Sequence, residues 1–302
     1  MKRTLTVYLL IMAAMLLYAL WRGPLFPLAP IKPGFQSYQS ENFRVFYPAG
    51  DSLPAAYRQI DSLMDRVEAM HGLQFRRPLK IIITKSSDQY RRLSMAGGRA
   101  CALPTGRVIY LSPAARKAEY PPDIEISTAG MRLRPRNPQV YRDLSGFLKH
   151  ELSHALLYQN TRLIKALRIP RWIEEGLAVY YGNPDHYFGA DDFRQLALER
   201  NYLFNPYDKT PKPHKIPDEI KYFFVYAEYR EFVHFLIDLH GEETLHMFIL
   251  DYLQSPSREE ALFQQYFGYS RITALTLFRR YLEKTYTPAL DRKSMQTDGF
   301  PS

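Results

Sequence analysis

Residues 149–159 read "KHELSHALLYQ", and within them His150, Glu151 and His154 form the pattern His-Glu-x-x-His. Histidines four positions apart leave a helix on the same face, about one turn from each other. Ring nitrogens placed in this way can reach one zinc ion at about 2.0–2.1 Å. The carboxylate of Glu151 then lies beside the ion, where it can accept a proton from water and pass it to a leaving amine. The stretch therefore predicts a helix that carries a pair of zinc ligands and a general base.

The surrounding sequence predicts where this helix begins and ends. Asn137-Pro138 supplies an N-cap residue followed by proline in the first turn. Apolar residues then recur at helical spacing from Val140 to about Tyr158. The same residues also suit a partly exposed helix whose histidines make ordinary hydrogen bonds. We favour the metal site because the pattern lies inside a well-bounded amphipathic helix, where the ligand geometry works.

A third ligand is predicted in the segment "PRWIEEGLAVYYGNP" (170–184). Its helical pattern runs from Pro170 to about Gly182, where Gly-Asn-Pro cannot continue a helix. Glu174 and Glu175 lie among apolar residues, and adjacent helical positions point about 100° apart, so at most one of them faces solvent. A buried carboxylate needs a partner. A catalytic zinc ion needs a third protein ligand and one open position.

Together these residues resemble the gluzincin metallopeptidases, specifically the peptidase MA-like group related to aminopeptidase N. In that family the second motif reads Trp-Leu-Asn-Glu-Gly-Phe-Ala, and its glutamate is the third zinc ligand. Trp172, Gly176 and Ala178 match this motif, and the ligand position falls on Glu175. Glu174 stands where the family has asparagine. The loop before the motif is longer than in the family, which leaves Glu174 as the alternative ligand.

The resemblance implies a tyrosine that stabilises the tetrahedral oxyanion. In the family it opens a Tyr-x-x-Gly segment that an apolar helix follows. The segment "VYAEYREFVHFLIDLHG" (225–241) places this tyrosine at Tyr226, within a helix predicted to end before Gly241. Tyr229 replaces the family's internal glycine, and both Tyr222 and Tyr229 are alternatives to Tyr226.

The resemblance also implies an α+β, zincin-like (thermolysin-like) catalytic domain, in which a mixed sheet precedes a mainly helical half. In such domains an edge strand binds extended substrate, and we assign that role to "TGRVIYLSP" (105–113). Local patterns predict strands at 42–48 and 79–84, a hairpin at 98–113, and helices at 53–71, 86–96 and 218–240. The expected layout is a signal anchor (1–22), a Pro-rich linker (23–35), a peptidase MA-like domain (36–286) and a tail (287–302).

Residues 1–22 predict a membrane-anchor helix. Lys2 and Arg3 precede an uncharged run from Thr4 to Trp21, which at about 1.5 Å per residue nearly crosses the hydrocarbon core of a bilayer. Bulky residues follow where signal peptidase requires small ones, so we expect an uncleaved anchor, with a cleaved signal peptide as the alternative. The basic residues favour a cytoplasmic N-terminus. The catalytic domain would then be extracytoplasmic, in a bacterial envelope or periplasm.

Composition limits the other functions. The formal net charge of +9 is spread along the chain, and its densest stretch, "MRLRPRNP" (131–138), is shorter and poorer in lysine than a nucleic-acid-binding arm. We interpret this stretch as a solvated loop, or as a face turned toward anionic lipid, and expect no nucleic-acid partner. Cys101 is the sole cysteine, which excludes an internal disulfide and a cysteine-rich metal site.

The reaction class follows from the resemblance. Aminopeptidases bind the free amine of the substrate with a Gly-x-Met-Glu-Asn segment, and residues 36–149 contain none. We therefore expect a membrane-anchored endopeptidase that uses one zinc ion and cleaves extracytoplasmic proteins or peptides. The alternative is a catalytically silent gluzincin-fold module for binding or assembly in the cell envelope. Against it, His150, Glu151, His154 and a glutamate for the third ligand are all present. The sequence fixes neither the substrate nor the oligomeric state.

Overall fold

A computed structural model of the chain describes residues 2–23, 25–96, 100–103, 105–116, 126–128, 131–133, 144–182, 188–208 and 216–286. The strands are β1 (Phe35–Gln39), β2 (Phe43–Pro48), β3 (Leu79–Ile83), β4 (Ala100–Ala102), β5 (Val108–Leu111), β6 (Ile126–Thr128) and β7 (Met131–Leu133). The α-helices are α1 (Lys2–Arg22), α2 (Ile60–His71), α3 (Ser87–Ser94), α4 (Pro113–Arg116), α5 (Leu144–Gln159), α6 (Leu163–Ala166), α7 (Arg171–Gly182), α8 (Ala190–Glu199), α9 (Asp218–His240), α10 (Glu242–Gln254), α11 (Glu259–Phe267) and α12 (Arg271–Thr285). Short 3-10 helices cover Phe26–Leu28, Ala55–Gln59 and Pro256–Arg258.

The described residues form two compact units. The first contains the described residues up to 116 together with 144–167, and the second contains β6, β7 and the described residues from 168 to 286. The predicted order of a mixed sheet followed by a mainly helical half is confirmed.

The first unit is built on a five-stranded sheet in the order β1-β2-β3-β5-β4. Strands β2, β3 and β5 are parallel, and β1 and β4 pair antiparallel at the two edges. Central parallel strands are buried on both faces and so consist of continuous apolar residues. The segments "LKIII" and "VIYL" fit this rule, because nearly every side chain in them is buried.

The assignment of residues 105–113 to the substrate-binding edge was wrong. β5 lies inside the sheet, since β3 pairs with one side of it and β4 with the other. The predicted hairpin at 98–113 is present. Its first strand, β4, pairs with the side of β5 that we had expected to bind substrate. Gly106 turns this hairpin with φ +65°, a left-handed conformation that favours glycine.

Helix α5 packs within the same unit. It contacts α2 and the neighbouring strands β4 and β5. The proposed helix start at Asn137-Pro138 lies outside the described residues. The predicted helix at 53–71 is shorter, because a 3-10 helix covers Ala55–Gln59 and α2 begins at Ile60.

The second unit consists mainly of helices α7–α12. The predicted helices at 170–182 and 218–240 are confirmed as α7 and α9. Part of the basic stretch 131–138 was predicted as a loop, but Met131–Leu133 is strand β7, paired antiparallel with β6. Residues 134–138 lie outside the described residues.

Helix α1 is apolar between its basic ends. Its segment Leu5–Arg22 has 18 residues and a mean hydropathy of 1.8, with none of its side chains buried. By length and composition it could cross a membrane, although a signal sequence passes the same test.

Candidate metal centre

His150 and His154 lie on the face of α5 that the spacing predicts. Their Nε2 atoms are 3.1 Å apart, and their ring planes meet at 82°. Nitrogens bound to one tetrahedral zinc ion at about 2.0–2.1 Å stand about 3.3 Å apart. His154 is buried and His150 is half-buried. The two Nε2 atoms are therefore close enough to bind the same ion.

Contacts on other faces of α5 fix the orientation of this helix. Ser153 and His71 are both buried, and Ser153 Oγ lies 2.9 Å from His71 Nε2 on α2. At the end of α5, Gln159 accepts hydrogen bonds from the backbone of Arg76 and Arg77 at 2.7 and 2.9 Å. The same side chain donates to the carbonyls of Arg77 and Gly106 at 3.0 and 2.8 Å. These contacts hold α5 against the β4–β5 hairpin.

Glu151 is buried on α5, next to His150 in the sequence. Its charge acts on the phenol of Tyr90, a buried residue of α3. Burial first, then the nearby Cys101, raises the pKa of Tyr90, and Glu151 adds to this rise, while a hydrogen bond with Ser94 lowers the pKa. Helix α5, which carries Glu151, also contacts the edge strand β4.

Glu175 is positioned by its neighbours in α7. The fully buried indole of Trp172 lies among aromatic rings at centroid distances of 5.3–6.2 Å, namely those of Tyr207, Phe232, Phe248 and Phe263. Gly176 allows close packing on α9, because a Cβ there would lie 2.8 Å from both Tyr229 O and Val233 Cγ2. The tryptophan and the glycine of the motif thus fix the glutamate between them.

The two adjacent glutamates of α7 differ in their surroundings. Glu175 is buried at 6% exposure, whereas Glu174 is half-buried. Arg171 binds both: its Nη1 lies 2.9 Å from Glu175 Oε1 and 3.1 Å from Glu174 Oε2. Sequence reasoning missed Arg171, although its i,i+4 spacing from Glu175 is a recognisable signal.

One potential ligand atom from each of His150, His154 and Glu175 lies within 4.8 Å of the other two. This group does not include Glu174. Two imidazole nitrogens and one carboxylate oxygen form a donor set that zinc prefers in catalytic sites. The residues therefore fit a zinc ion.

Of the three tyrosines considered for the oxyanion, Tyr226 and Tyr229 both have pKa values raised by burial and, in addition, by the charge of Glu175. Burial raises the pKa of Tyr226 well above its ordinary value, and the charge of Glu175 is the next cause. The ring of Tyr226 lies 4.5 Å from that of Tyr222, which is 54% exposed. Tyr229 is buried and packs on Phe204 at 5.7 Å.

No protein-family model and no curated protein matches the chain. Among solved structures, a two-domain M1 zinc metallopeptidase mutant bound to L-arginine matches with a TM-score of 0.45 and 12% identity, over 81% of this chain and 51% of that one. An M1 zinc metallopeptidase from Deinococcus radiodurans matches with a TM-score of 0.44 and 14% identity, over 84% of this chain and 52% of that one. A mutant M1 zinc metallopeptidase from Deinococcus radiodurans, bound to a Tyr-Ser-Ala substrate, matches with a TM-score of 0.41 and 14% identity, over 84% of this chain and 52% of that one. The chain spans about half the length of these proteins.

Proposed function

We propose that the chain is a membrane-anchored, zinc-dependent endopeptidase that cleaves extracytoplasmic proteins or peptides. The observation that carries this proposal is the meeting of one ligand atom each from His150, His154 and Glu175 within 4.8 Å. A zinc ion held by these three residues alone would keep one coordination position for a reactant, as in catalytic sites, whereas structural sites close with four protein ligands and prefer cysteine.

Each residue near the group has a chemical task. When bound, zinc supplies Lewis acidity and makes water a better nucleophile at neutral pH. The carboxylate of Glu151 takes the proton of the attacking water and delivers it to the leaving amine. The hydroxyl of Tyr226 donates a hydrogen bond to the developing oxyanion. A tyrosine hydroxyl ordinarily keeps its proton at neutral pH, so Tyr226 can donate this hydrogen bond.

The edge strand β4 (Ala100–Ala102) is the proposed backbone partner of an extended substrate. It pairs with β5 on one side, at the end of the described sheet, and α5 contacts it. A peptide added to such an edge gains backbone hydrogen bonds whatever its side chains. This arrangement suits cleavage within a chain, and it agrees with the missing Gly-x-Met-Glu-Asn segment.

The proposal places a signal anchor at residues 1–22, a linker at 23–35, the peptidase domain at 36–286 and a tail at 287–302. The length and apolar composition of helix α1 support the assignment of a signal anchor. The bilayer would hold the protein with its N-terminus in the cytoplasm and its catalytic domain outside, in a bacterial envelope or periplasm.

The test uses purified full-length protein, its metal content and a broad peptide library analysed by mass spectrometry. We expect bound zinc and defined cleavage products. The Glu151→Gln variant should keep the zinc and lose cleavage. Protein without zinc would refute the metal site, while a zinc-loaded protein that cleaves no more than Glu151→Gln would favour the binding module.

A further inference from the structure

The C-terminal end of α1 is joined to the sheet-containing unit by direct contacts. After α1, Leu25 N donates to Ala19 O at 3.1 Å. The last turn of α1 contains its partly buried side chains, Ala19 and Leu20. The helix contacts both the 3-10 helix Phe26–Leu28 and α3. These two segments therefore lie beside the point where α1 ends.

Both segments are fixed firmly in this position. Phe26 is buried in a core cluster with Tyr90 and Leu93 of α3. The carbonyls of the 3-10 turn accept hydrogen bonds from Lys32 Nζ, at 3.0 Å for Phe26 O and 2.7 Å for Ala29 O. These contacts fix both segments to the sheet-containing unit.

Large apolar side chains are exposed on or directly after these segments. Leu28, Ile31 and Met95 are 68%, 70% and 75% exposed. Leu28 ends the 3-10 helix, Ile31 follows three residues later, and Met95 is the C-cap of α3. These three residues are called the α1-proximal residues below.

Most charged residues of α3 and of the last turn of α1 are basic. Arg22, Arg91 and Arg92 are exposed, and one acidic neighbour, Asp88, pairs with Arg91 at 2.6 Å. Below the 3-10 turn, Lys80 Nζ donates to Pro27 O at 3.0 Å. Such clusters next to a membrane helix attract anionic headgroups.

The length of α1 determines how close this region comes to a bilayer. Its 18-residue apolar segment spans about 27 Å at about 1.5 Å per residue, slightly less than a hydrocarbon core of about 30 Å. A short span is accommodated by local thinning and by drawing flanking residues into the interface. The segments that contact the last turn of α1 are then at headgroup level.

We propose that the α1-proximal residues insert into the outer interface of a bilayer rich in anionic lipid, with Arg22, Arg91 and Arg92 at its headgroups. This contact would hold the sheet-containing unit on the membrane surface instead of leaving it on a flexible tether. The inference rests on the membrane anchoring within the proposed function, but it does not depend on zinc or on peptide cleavage.

Spin labels on the full-length protein test this contact. Leu28→Cys, Ile31→Cys and Met95→Cys are each made in a Cys101→Ser background, with Ala69→Cys on the exposed face of α2 as control. The protein is reconstituted into vesicles of phosphatidylcholine and phosphatidylglycerol at about 3:1, whose anionic lipid gives the surface a negative potential. Flotation measures anchoring, and power saturation compares collisions with oxygen and with a water-soluble nickel chelate. Far-ultraviolet circular dichroism shows that each variant is folded.

We expect flotation of every variant and an oxygen-to-nickel ratio severalfold higher at the three α1-proximal positions than at Ala69→Cys. We also expect this ratio to fall when phosphatidylcholine replaces phosphatidylglycerol. Flotation with equal ratios at all four positions would overturn the contact and leave the anchor intact. An unchanged ratio in phosphatidylcholine would overturn the role of anionic lipid. Failure to float would overturn both anchor and contact, without affecting the zinc-site proposal.

Discussion

Arg171 Nη1 lies 2.9 Å from Glu175 Oε1, so a cation of the chain itself binds the carboxylate that we assign to zinc. The guanidinium repels a divalent ion that approaches the same oxygen. We expect Arg171→Met to tighten zinc binding about tenfold, roughly 1.4 kcal/mol, an effect limited by solvent because the Arg171 side chain is 49% exposed. Competition with a fluorescent zinc chelator measures this change.

The same variant should destabilise the metal-free protein, because Glu175 is buried and loses a positive partner. Arg168→Met removes a charge from an exposed position nearby and serves as the control. If Arg171→Met binds zinc more weakly than this control, Arg171 helps to position the Glu175 carboxylate for the ion rather than competing with it.

The choice between the adjacent glutamates gives a second prediction. We expect Glu175→Gln to weaken zinc binding by more than about 100-fold, since even the loss of a ligand's outer partner costs about 10–100-fold. Glu174→Gln is the matched control and should bind zinc nearly as tightly as the wild type. Equilibrium dialysis with metal analysis measures both affinities. The reverse order would make Glu174 the third ligand.

Removal of one hydroxyl tests the assignment of Tyr226. Tyr226→Phe should lower kcat by about 10²–10³, the usual cost of losing one oxyanion donor, while KM and zinc content change little. Tyr222→Phe keeps the adjacent aromatic ring, 4.5 Å away, and should retain most activity. If the loss appears in Tyr222→Phe instead, the oxyanion donor has been misassigned.

The helices of the candidate site could be predicted because their signals are local. Helix α7 begins and ends where its apolar spacing and the Gly-Asn-Pro stop indicate. His150 and His154 required only helical periodicity to be placed on one face. The pairing of Arg171 with Glu175 could have been predicted as well, since the two residues lie four positions apart in the same helix.

Strand order could not be predicted in the same way. The pattern of "VIYL" describes a buried strand, but it does not say whether one or two strands flank it. The contact of Ser153 with His71 joins residues 82 positions apart, and no local signal encodes it. Such features depend on tertiary packing, which local sequence patterns leave undetermined.

Gly176 gives a stability prediction at the α7–α9 contact. An added Cβ would lie 2.8 Å from Tyr229 O and from Val233 Cγ2. We expect Gly176→Ala to lower the free energy of unfolding by about 1–3 kcal/mol, the usual cost of overpacking. Adding Val233→Ala relieves only the side-chain clash, because the Tyr229 carbonyl belongs to the backbone. Chemical denaturation measures both variants, and a fully stable Gly176→Ala would show that the helices separate easily.

Lys32 makes stability depend on pH. Burial, with repulsion from Lys80 and Arg44, lowers its pKa from 10.5 to about 8. Between these pH values the unfolded chain holds a proton on Lys32 that the folded protein lacks, so the free energy of unfolding rises with pH. Lys32→Met lacks this titration. The stability difference, wild type minus variant, should therefore be constant below about pH 8 and increase toward pH 10.5, as measured by denaturant unfolding in detergent micelles. Lys80→Met should shift the start of this increase to higher pH, and a difference that stays flat or falls across the window would contradict the lowered pKa of Lys32.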